Sequence, residues 1–182
     1  GAPSGIGALW LKTGLESNPS LRGGPQERGR RAGTENVPGI VGLGAAARWM
    51  SDQNEAFARV AAVRDHLQTE LIRSVPGTII HGDQENRLAN TLSFRIEGVQ
   101  GDLVLQALDL EGYEISSGSA CSSGGVEPSA VLLALGLSRT EAQCGLRVSL
   151  GPETEPAAID AFVASLVRIV TRIQSSLGGR RA

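Results

Sequence analysis

One cysteine of this chain lies in a segment that has almost no apolar residues. Cys121 sits within residues 116–125, where nearly every neighbour is Ser, Gly or Ala. Cysteine is usually buried and inert, whereas Ser and Gly runs cannot pack a core and are typical of mobile surface loops. A thiolate on such a loop is a strong nucleophile that can be carried to a substrate. Local composition leaves two interpretations open, a reactive thiol and a small residue in a linker, because a single cysteine is a weak signal.

Two further residues have side chains suited to anionic groups. Arg147 lies in an alternating strand pattern between Leu146 and Val148, and a guanidinium presents two parallel donors to a carboxylate. Without other information, an ordinary exposed arginine on a half-buried strand is the simpler interpretation. Thr34 lies in the Gly- and Arg-rich segment 23–36, where a hydroxyl and backbone N–H groups would suit a phosphate. The alternative for Thr34 is a turn residue that caps the following helix.

Three blocks of sequence occur in an order and spacing that resemble a known family. They are Gly-Ile-Gly-Ala-Leu-Trp at 5–10, Gly-Gly-Pro-Gln-Glu-Arg-Gly-Arg-Arg-Ala-Gly-Thr-Glu-Asn at 23–36, and the segment from Ser-Ser-Gly-Ser-Ala-Cys at 116–121 to Leu-Arg-Val-Ser-Leu-Gly at 146–151. Together they resemble the cysteine desulfurases of the NifS/IscS type, which are class V, fold-type I pyridoxal-phosphate enzymes. The resemblance covers essentially the whole chain.

The resemblance implies a role for each candidate residue. Cys121 would attack the sulfur of L-cysteine, so that L-alanine leaves and a persulfide stays on the enzyme. Arg147 would bind the α-carboxylate of the substrate. Thr34 would contact the cofactor phosphate of the partner subunit in a homodimer. The persulfide would pass to a sulfur acceptor or scaffold protein for iron–sulfur cluster or thio-cofactor assembly. Arg28, Arg30 and Arg31 would supply positive charge at the phosphate site or the dimer interface; the sequence does not separate these roles.

One departure from the family concerns the cofactor. Pyridoxal phosphate needs a lysine amine for its covalent attachment, and the only lysine here, Lys12, lies C-terminal to the family's position. That position falls just before Gly1, so we expect the C-terminal portion of a desulfurase that neither holds the cofactor covalently nor turns over alone. The alternative is a stand-alone sulfur carrier or scaffold-binding module without cofactor chemistry. Another class V enzyme, such as a selenocysteine lyase or aminotransferase, fits less well because these generally lack the long cysteine loop.

Composition excludes several classes of protein. The 182 residues are 41% hydrophobic and 20% charged, which suits one globular domain or one domain with an appendage. A net charge of −2 argues against a general nucleic-acid binder. No apolar run approaches the roughly 18 residues of a membrane span. The two histidines have no zinc-site spacing, so we expect no metal. With two cysteines and no secretory features, reduced thiols in the cytoplasm are expected.

The periodicities predict an α/β fold. From residue 77 the order is β-β-α-β-loop-α-α-β-α, which indicates a small, mainly antiparallel sheet with helices on one face, like the family's C-terminal domain. Residues 76–182 would form this domain, 41–75 a bridging helical region and 1–40 the tail of the large domain with its arginine-rich loop. One long helix or two fit residues 40–74 equally well. The apolar run 6–11 is predicted to be a short strand.

Overall fold

The chain forms two compact units. The computed structural model describes residues 2–15, 18–117, 121–122 and 125–178. The first unit comprises residues 1–54 and the second residues 55–182. The division of the chain at residues 40 and 75 stays a prediction.

The first unit consists of a loop, a small hairpin and a helix. The hairpin pairs β1 (Pro25–Gln26) with β2 (Arg31–Ala32) through a short 3-10 turn at Glu27–Gly29. Helix α1 (Val37–Ser51) follows; the Asn36 side chain accepts a hydrogen bond from the Gly39 N–H at 3.1 Å, which caps the helix.

The predicted strand at residues 6–11 is wrong. The segment has no strand partner among the described residues, and it leaves Leu9 and Trp10 76% and 82% exposed. A strand is defined by hydrogen bonds to a neighbouring strand. An apolar run by itself therefore does not determine one.

Two helices, not one, occupy the region that the sequence left open. Helix α1 ends at Ser51 and α2 (Asn54–Ser74) begins three residues later. The remaining elements belong to the second unit: β3 (Thr78–Ile80), β4 (Thr91–Ile96), α3 (Gly101–Leu110), β5 (Ser116–Ser117), β6 (Cys121–Ser122), β7 (Gly125–Val126), α4 (Ala130–Ala134), α5 (Arg139–Gln143), β8 (Gly145–Ser149) and α6 (Pro156–Gly178).

Four of these strands form one antiparallel sheet. Its order is β3-β4-β8-β5, and each neighbouring pair is antiparallel. Strands β6 and β7 pair separately as a short hairpin. The predicted α/β fold with a small antiparallel sheet is confirmed.

The core lies on one face of the sheet. In β4 alternate residues Leu92, Phe94 and Ile96 are fully buried, as period-2 alternation requires. They pack with Leu146 and Val148 of β8 and with apolar stripes of α2, α3 and α6. Among the described residues, no helix has both the length and the hydropathy needed to cross a bilayer.

Helix α5 starts at a Ser-x-x-Glu pattern, residues 138–141, which is typical of a capping box. The Ser138 hydroxyl accepts from the Glu141 N–H at 3.3 Å, and the Glu141 carboxylate accepts from the Ser138 N–H at 2.9 Å. This capping box satisfies two of the N–H groups that helix formation leaves unpaired. It also fixes Glu141 where Arg95 can reach it, at 2.6 Å.

Helix α3 approaches the backbone of β8 closely through a glycine. A Cβ placed on Gly101 would lie 2.9 Å from the Gly145 carbonyl oxygen and 3.1 Å from that of Gln143. Both contacts are with backbone, which cannot rotate away as a side chain would. Gly101 therefore permits the close packing of the helix start against the sheet.

We predict that Gly101→Ala destabilises the fold by about 1–3 kcal/mol, because the added methyl group separates α3 from β8. The control is Gly44→Ala in helix α1, where the new Cβ meets nothing within 4 Å. Alanine is the better helix former, so that variant should be equally stable or slightly more stable. Thermal and urea denaturation of the natural protein that contains these residues measure both, and an unchanged midpoint for Gly101→Ala would contradict the packing argument.

Candidate functional site

The exposed face of the sheet carries Arg147. Its neighbours Leu146 and Val148 in β8 point into the core, so alternation places the guanidinium on the opposite face. The structure thus puts Arg147 where the sequence pattern placed it. On this face it is accessible to a ligand.

The register of the sheet decides what stands beside Arg147. Ser93 of β4 pairs with it on one side and Ser116 of β5 on the other. The Arg147 Nη2 donates to the Ser116 Oγ at 3.5 Å, and the Ser116 hydroxyl donates to the Ser117 carbonyl oxygen at 3.0 Å. Within the described part of the chain, Arg147 forms no ion pair with a carboxylate. Its positive charge is therefore available to an anionic ligand.

Ser93 has a different partner. Its hydroxyl lies 3.1 Å from Nδ1 of His81, and its carbonyl oxygen accepts from the His81 N–H at 2.9 Å. His81 follows β3, so His81, Ser93, Arg147 and Ser116 form one row across four neighbouring chain segments. We call these four residues the polar row. Sequence patterns place Ser93 on the exposed face of β4, but only the strand register aligns it with Arg147.

His81 is the buried member of the polar row. The residue is 8% exposed, and its Nε2 has no hydrogen-bond partner in the described structure. Burial and the nearby Arg95 guanidinium lower the pKa of His81, and Glu141 opposes them. The neutral imidazole is therefore the form that the fold favours.

The second cysteine has the surroundings of a poorly reactive thiol. Cys144 follows α5, is half-buried and forms no disulfide. Burial raises the pKa of the Cys144 thiol, although Arg95 partly opposes this. A protonated thiol is a weak nucleophile. Cys144 therefore lacks the properties that the sequence assigned to Cys121.

Cys121 begins β6 and pairs with Val126 of β7, and Ser122 pairs with Gly125. Its side chain and residues 118–120 and 123–124 lie outside the described structure. The backbone shows that Cys121 follows β5, the strand beside Arg147, after only three intervening residues. Its role as the nucleophile stays a prediction.

Thr34 belongs to the first unit, whereas Arg147 and Cys121 belong to the second. It is exposed, and its carbonyl oxygen accepts from Arg31 Nη1 at 3.4 Å. Asn36, and not Thr34, caps α1. The alternative role for Thr34, a helix cap, is therefore wrong. Thr34 lies two residues before the cap of α1, and the N-terminus of a helix favours anions.

The chain belongs to the aminotransferase class-V family, whose model matches residues 1–162. It is 42% identical over 174 residues to a cysteine desulfurase of Gluconacetobacter diazotrophicus, a match that covers 95% of this chain and 44% of the relative. It is 41% identical over 175 residues to the cysteine desulfurase NifS of Azotobacter vinelandii, with 96% and 44% covered. The chain therefore spans less than half the length of these curated relatives.

A solved structure of a NifS-like protein agrees with the sequence matches. It superposes with a TM-score of 0.74 at 30% identity, over 89% of this chain and 41% of that chain. The predicted resemblance to NifS-type cysteine desulfurases is confirmed. The family implies pyridoxal phosphate in a complete enzyme.

We predict that stability falls as the pH drops below the ordinary imidazole pKa of about 6.5. The folded state resists protonation of His81 whereas the unfolded chain does not, so the unfolded state binds more protons between the lowered folded-state pKa and about 6.5. His81→Gln should therefore flatten the stability profile in this window. Urea denaturation at a series of pH values tests the effect, and NMR titration of the His81 ring gives its pKa directly. An NMR pKa at or above 6.5 would contradict the prediction.

Proposed function

We propose that these residues form the substrate-carboxylate and persulfide-bearing part of a cysteine desulfurase, which converts L-cysteine to L-alanine and leaves sulfur on Cys121. The observation that carries this proposal is the position of Arg147. Its guanidinium is exposed, has no carboxylate partner in the described structure, and stands beside the strand that leads to Cys121. The names of the relatives support the same activity.

Arg147 binds the α-carboxylate of L-cysteine in this proposal. A guanidinium can donate two parallel hydrogen bonds to a carboxylate, which fixes its orientation as well as its distance. The neighbouring arginine on this face, Arg95, is already paired with Glu141 at 2.6 Å. Arg147 is therefore the better candidate on geometric and electrostatic grounds.

Cys121 takes the sulfur. Its thiolate attacks the sulfur atom of the substrate, a sulfur–sulfur bond forms, and the carbon–sulfur bond breaks. The electron pair of that bond stays on carbon, which gains a proton as L-alanine forms. The extra sulfur then leaves with an acceptor or scaffold protein that assembles iron–sulfur clusters or thio-cofactors.

The surroundings of Thr34 fit a phosphate. Its carbonyl oxygen accepts from Arg31, and Thr34 lies two residues before the cap of α1. We propose that the Thr34 hydroxyl contacts the cofactor phosphate of the partner subunit in a homodimer. These residues do not supply the lysine that would bind the cofactor covalently, because the only lysine, Lys12, does not match the family position. Pyridoxal phosphate, when bound, supplies the electron sink that weakens the carbon–sulfur bond. A cytoplasmic location stays part of the proposal.

The stand-alone sulfur carrier is the less favoured alternative. The resemblance to desulfurases extends through all three sequence blocks and includes Arg147 and Thr34, which a carrier without cofactor chemistry would not need. A carrier would need Cys121 alone.

We predict that Cys121→Ser, made in the natural protein that contains these residues, abolishes persulfide formation from L-cysteine. A hydroxyl cannot form the sulfur–sulfur bond. Mass spectrometry of the protein after reaction detects the added sulfur atom. Cys144→Ser is the matched control and should keep the persulfide, because Cys144 is half-buried with a raised thiol pKa. Loss of persulfide in Cys144→Ser with retention in Cys121→Ser would reverse the assignment.

We predict that Arg147→Ala raises the KM for L-cysteine about 10- to 100-fold, the range expected for losing a charged hydrogen bond to the substrate. Arg147→Lys should recover part of this loss, since lysine keeps the charge but not the paired donors. Steady-state kinetics with L-cysteine provide the measurement. A KM unaffected by either substitution would remove Arg147 from the binding site.

A further inference from the structure

Two serines lie beside Arg147 on the neighbouring strands, but only one of them contacts its side chain. Ser93 and Ser116 are both paired with Arg147 by strand register. Only the Ser116 hydroxyl contacts the guanidinium, at 3.5 Å, whereas the Ser93 hydroxyl is engaged with His81 at 3.1 Å. Of these two serines, the one in β5 therefore contacts the Arg147 guanidinium, and the one in β4 contacts His81.

We propose that Ser116 is a positioning residue that orients Arg147 for the substrate carboxylate and ties this guanidinium to the start of the segment that carries Cys121. The inference rests on the proposed function of Arg147. Ser116 acts through Arg147 and is not itself assigned a contact with substrate.

The hydrogen-bond pattern of Ser116 suits this role. A serine hydroxyl has one donor and two acceptor positions. Ser116 directs its donor to the Ser117 carbonyl oxygen at 3.0 Å, which turns an acceptor position toward the Arg147 Nη2. The hydroxyl is therefore oriented to receive the guanidinium.

The hydrogen bond to Ser116 favours substrate binding because it lowers the entropic cost of ordering the Arg147 side chain. An exposed arginine has many rotamers, and immobilising such a side chain on binding opposes association. A hydrogen bond that already restricts Arg147 before the substrate arrives reduces this cost. Since Ser116 belongs to β5, it also holds the guanidinium next to the chain segment from which Cys121 follows.

The effect should be specific for ligands that have a carboxylate. L-alanine, the proposed product, carries the α-carboxylate, and ethylamine is the same molecule without it. Ser116→Ala should weaken L-alanine binding about three- to tenfold, the range of one modest hydrogen bond. Ethylamine binding should not change. A general loss of structure would weaken both ligands.

The experiment uses the natural cofactor-loaded protein and isothermal titration calorimetry with L-alanine and ethylamine. Ser116→Thr and Ser116→Val form a matched pair, because the two side chains have the same branched shape and differ in the hydroxyl. Both suit a strand, so the comparison holds even if Ser116→Ala folds poorly. We expect Ser116→Thr to bind L-alanine as the parent does and Ser116→Val to bind it about three- to tenfold more weakly, with a parallel rise in the KM for L-cysteine and little change in kcat.

Ser93→Ala and Arg147→Ala complete the design. Ser93→Ala removes the other serine opposite Arg147 and should leave L-alanine binding unchanged. An equal weakening in Ser93→Ala, or equal binding by the Thr and Val variants, would overturn the role of Ser116. If Arg147→Ala weakens L-alanine binding while Ser116→Val does not, the proposed function stands and this inference fails. If Arg147→Ala has no effect on L-alanine binding, both are wrong.

Discussion

Strand β8 lies between β4 and β5, and its antiparallel register with both decides which side chains stand beside Arg147. The register pairs Arg147 with Ser93 on one side and with Ser116 on the other. A shift by one residue would exchange the two faces of the strand, burying the guanidinium and exposing Leu146 and Val148. The apolar core therefore secures the position of the polar row. Packing on one face of the sheet and the proposed anion recognition on the other depend on the same hydrogen-bonded ladder.

Charge pairing distinguishes Arg95 and Arg168 from Arg147. Arg95 pairs with Glu141, and Arg168 pairs with Glu111 at 2.9 Å. Such pairs largely neutralise a guanidinium as a site for an incoming carboxylate. The guanidinium of Arg147 contacts a serine hydroxyl, whereas those of Arg95 and Arg168 contact carboxylates. A serine orients a guanidinium without neutralising its charge. This difference makes the exposed face of the sheet suitable for an anionic substrate.

Local signals predicted the elements whose stability is local. The apolar and polar residues that alternate at 91–96 form β4, and the Ser-x-x-Glu pattern at 138–141 forms the capping box. The apolar run 6–11 misled because a strand needs a partner, and hydropathy does not reveal one. The break between α1 and α2 was ambiguous because apolar residues recur at helical spacing on both sides of it. The two serines and the histidine of the polar row were missed, since serine is common on exposed strand faces and has no signature of its own.

By itself the sequence determined the family, the α/β class and the candidates Cys121, Arg147 and Thr34. Motifs and periodicities depend only on residue types and their spacing along the chain. Tertiary structure alone decided that Ser116 contacts Arg147 and that Ser93 is engaged by a buried His81. These relations join residues up to 31 positions apart and depend on strand order and register. Strand pairing is a property of the whole fold, since it is selected by the burial of one face of every strand at once.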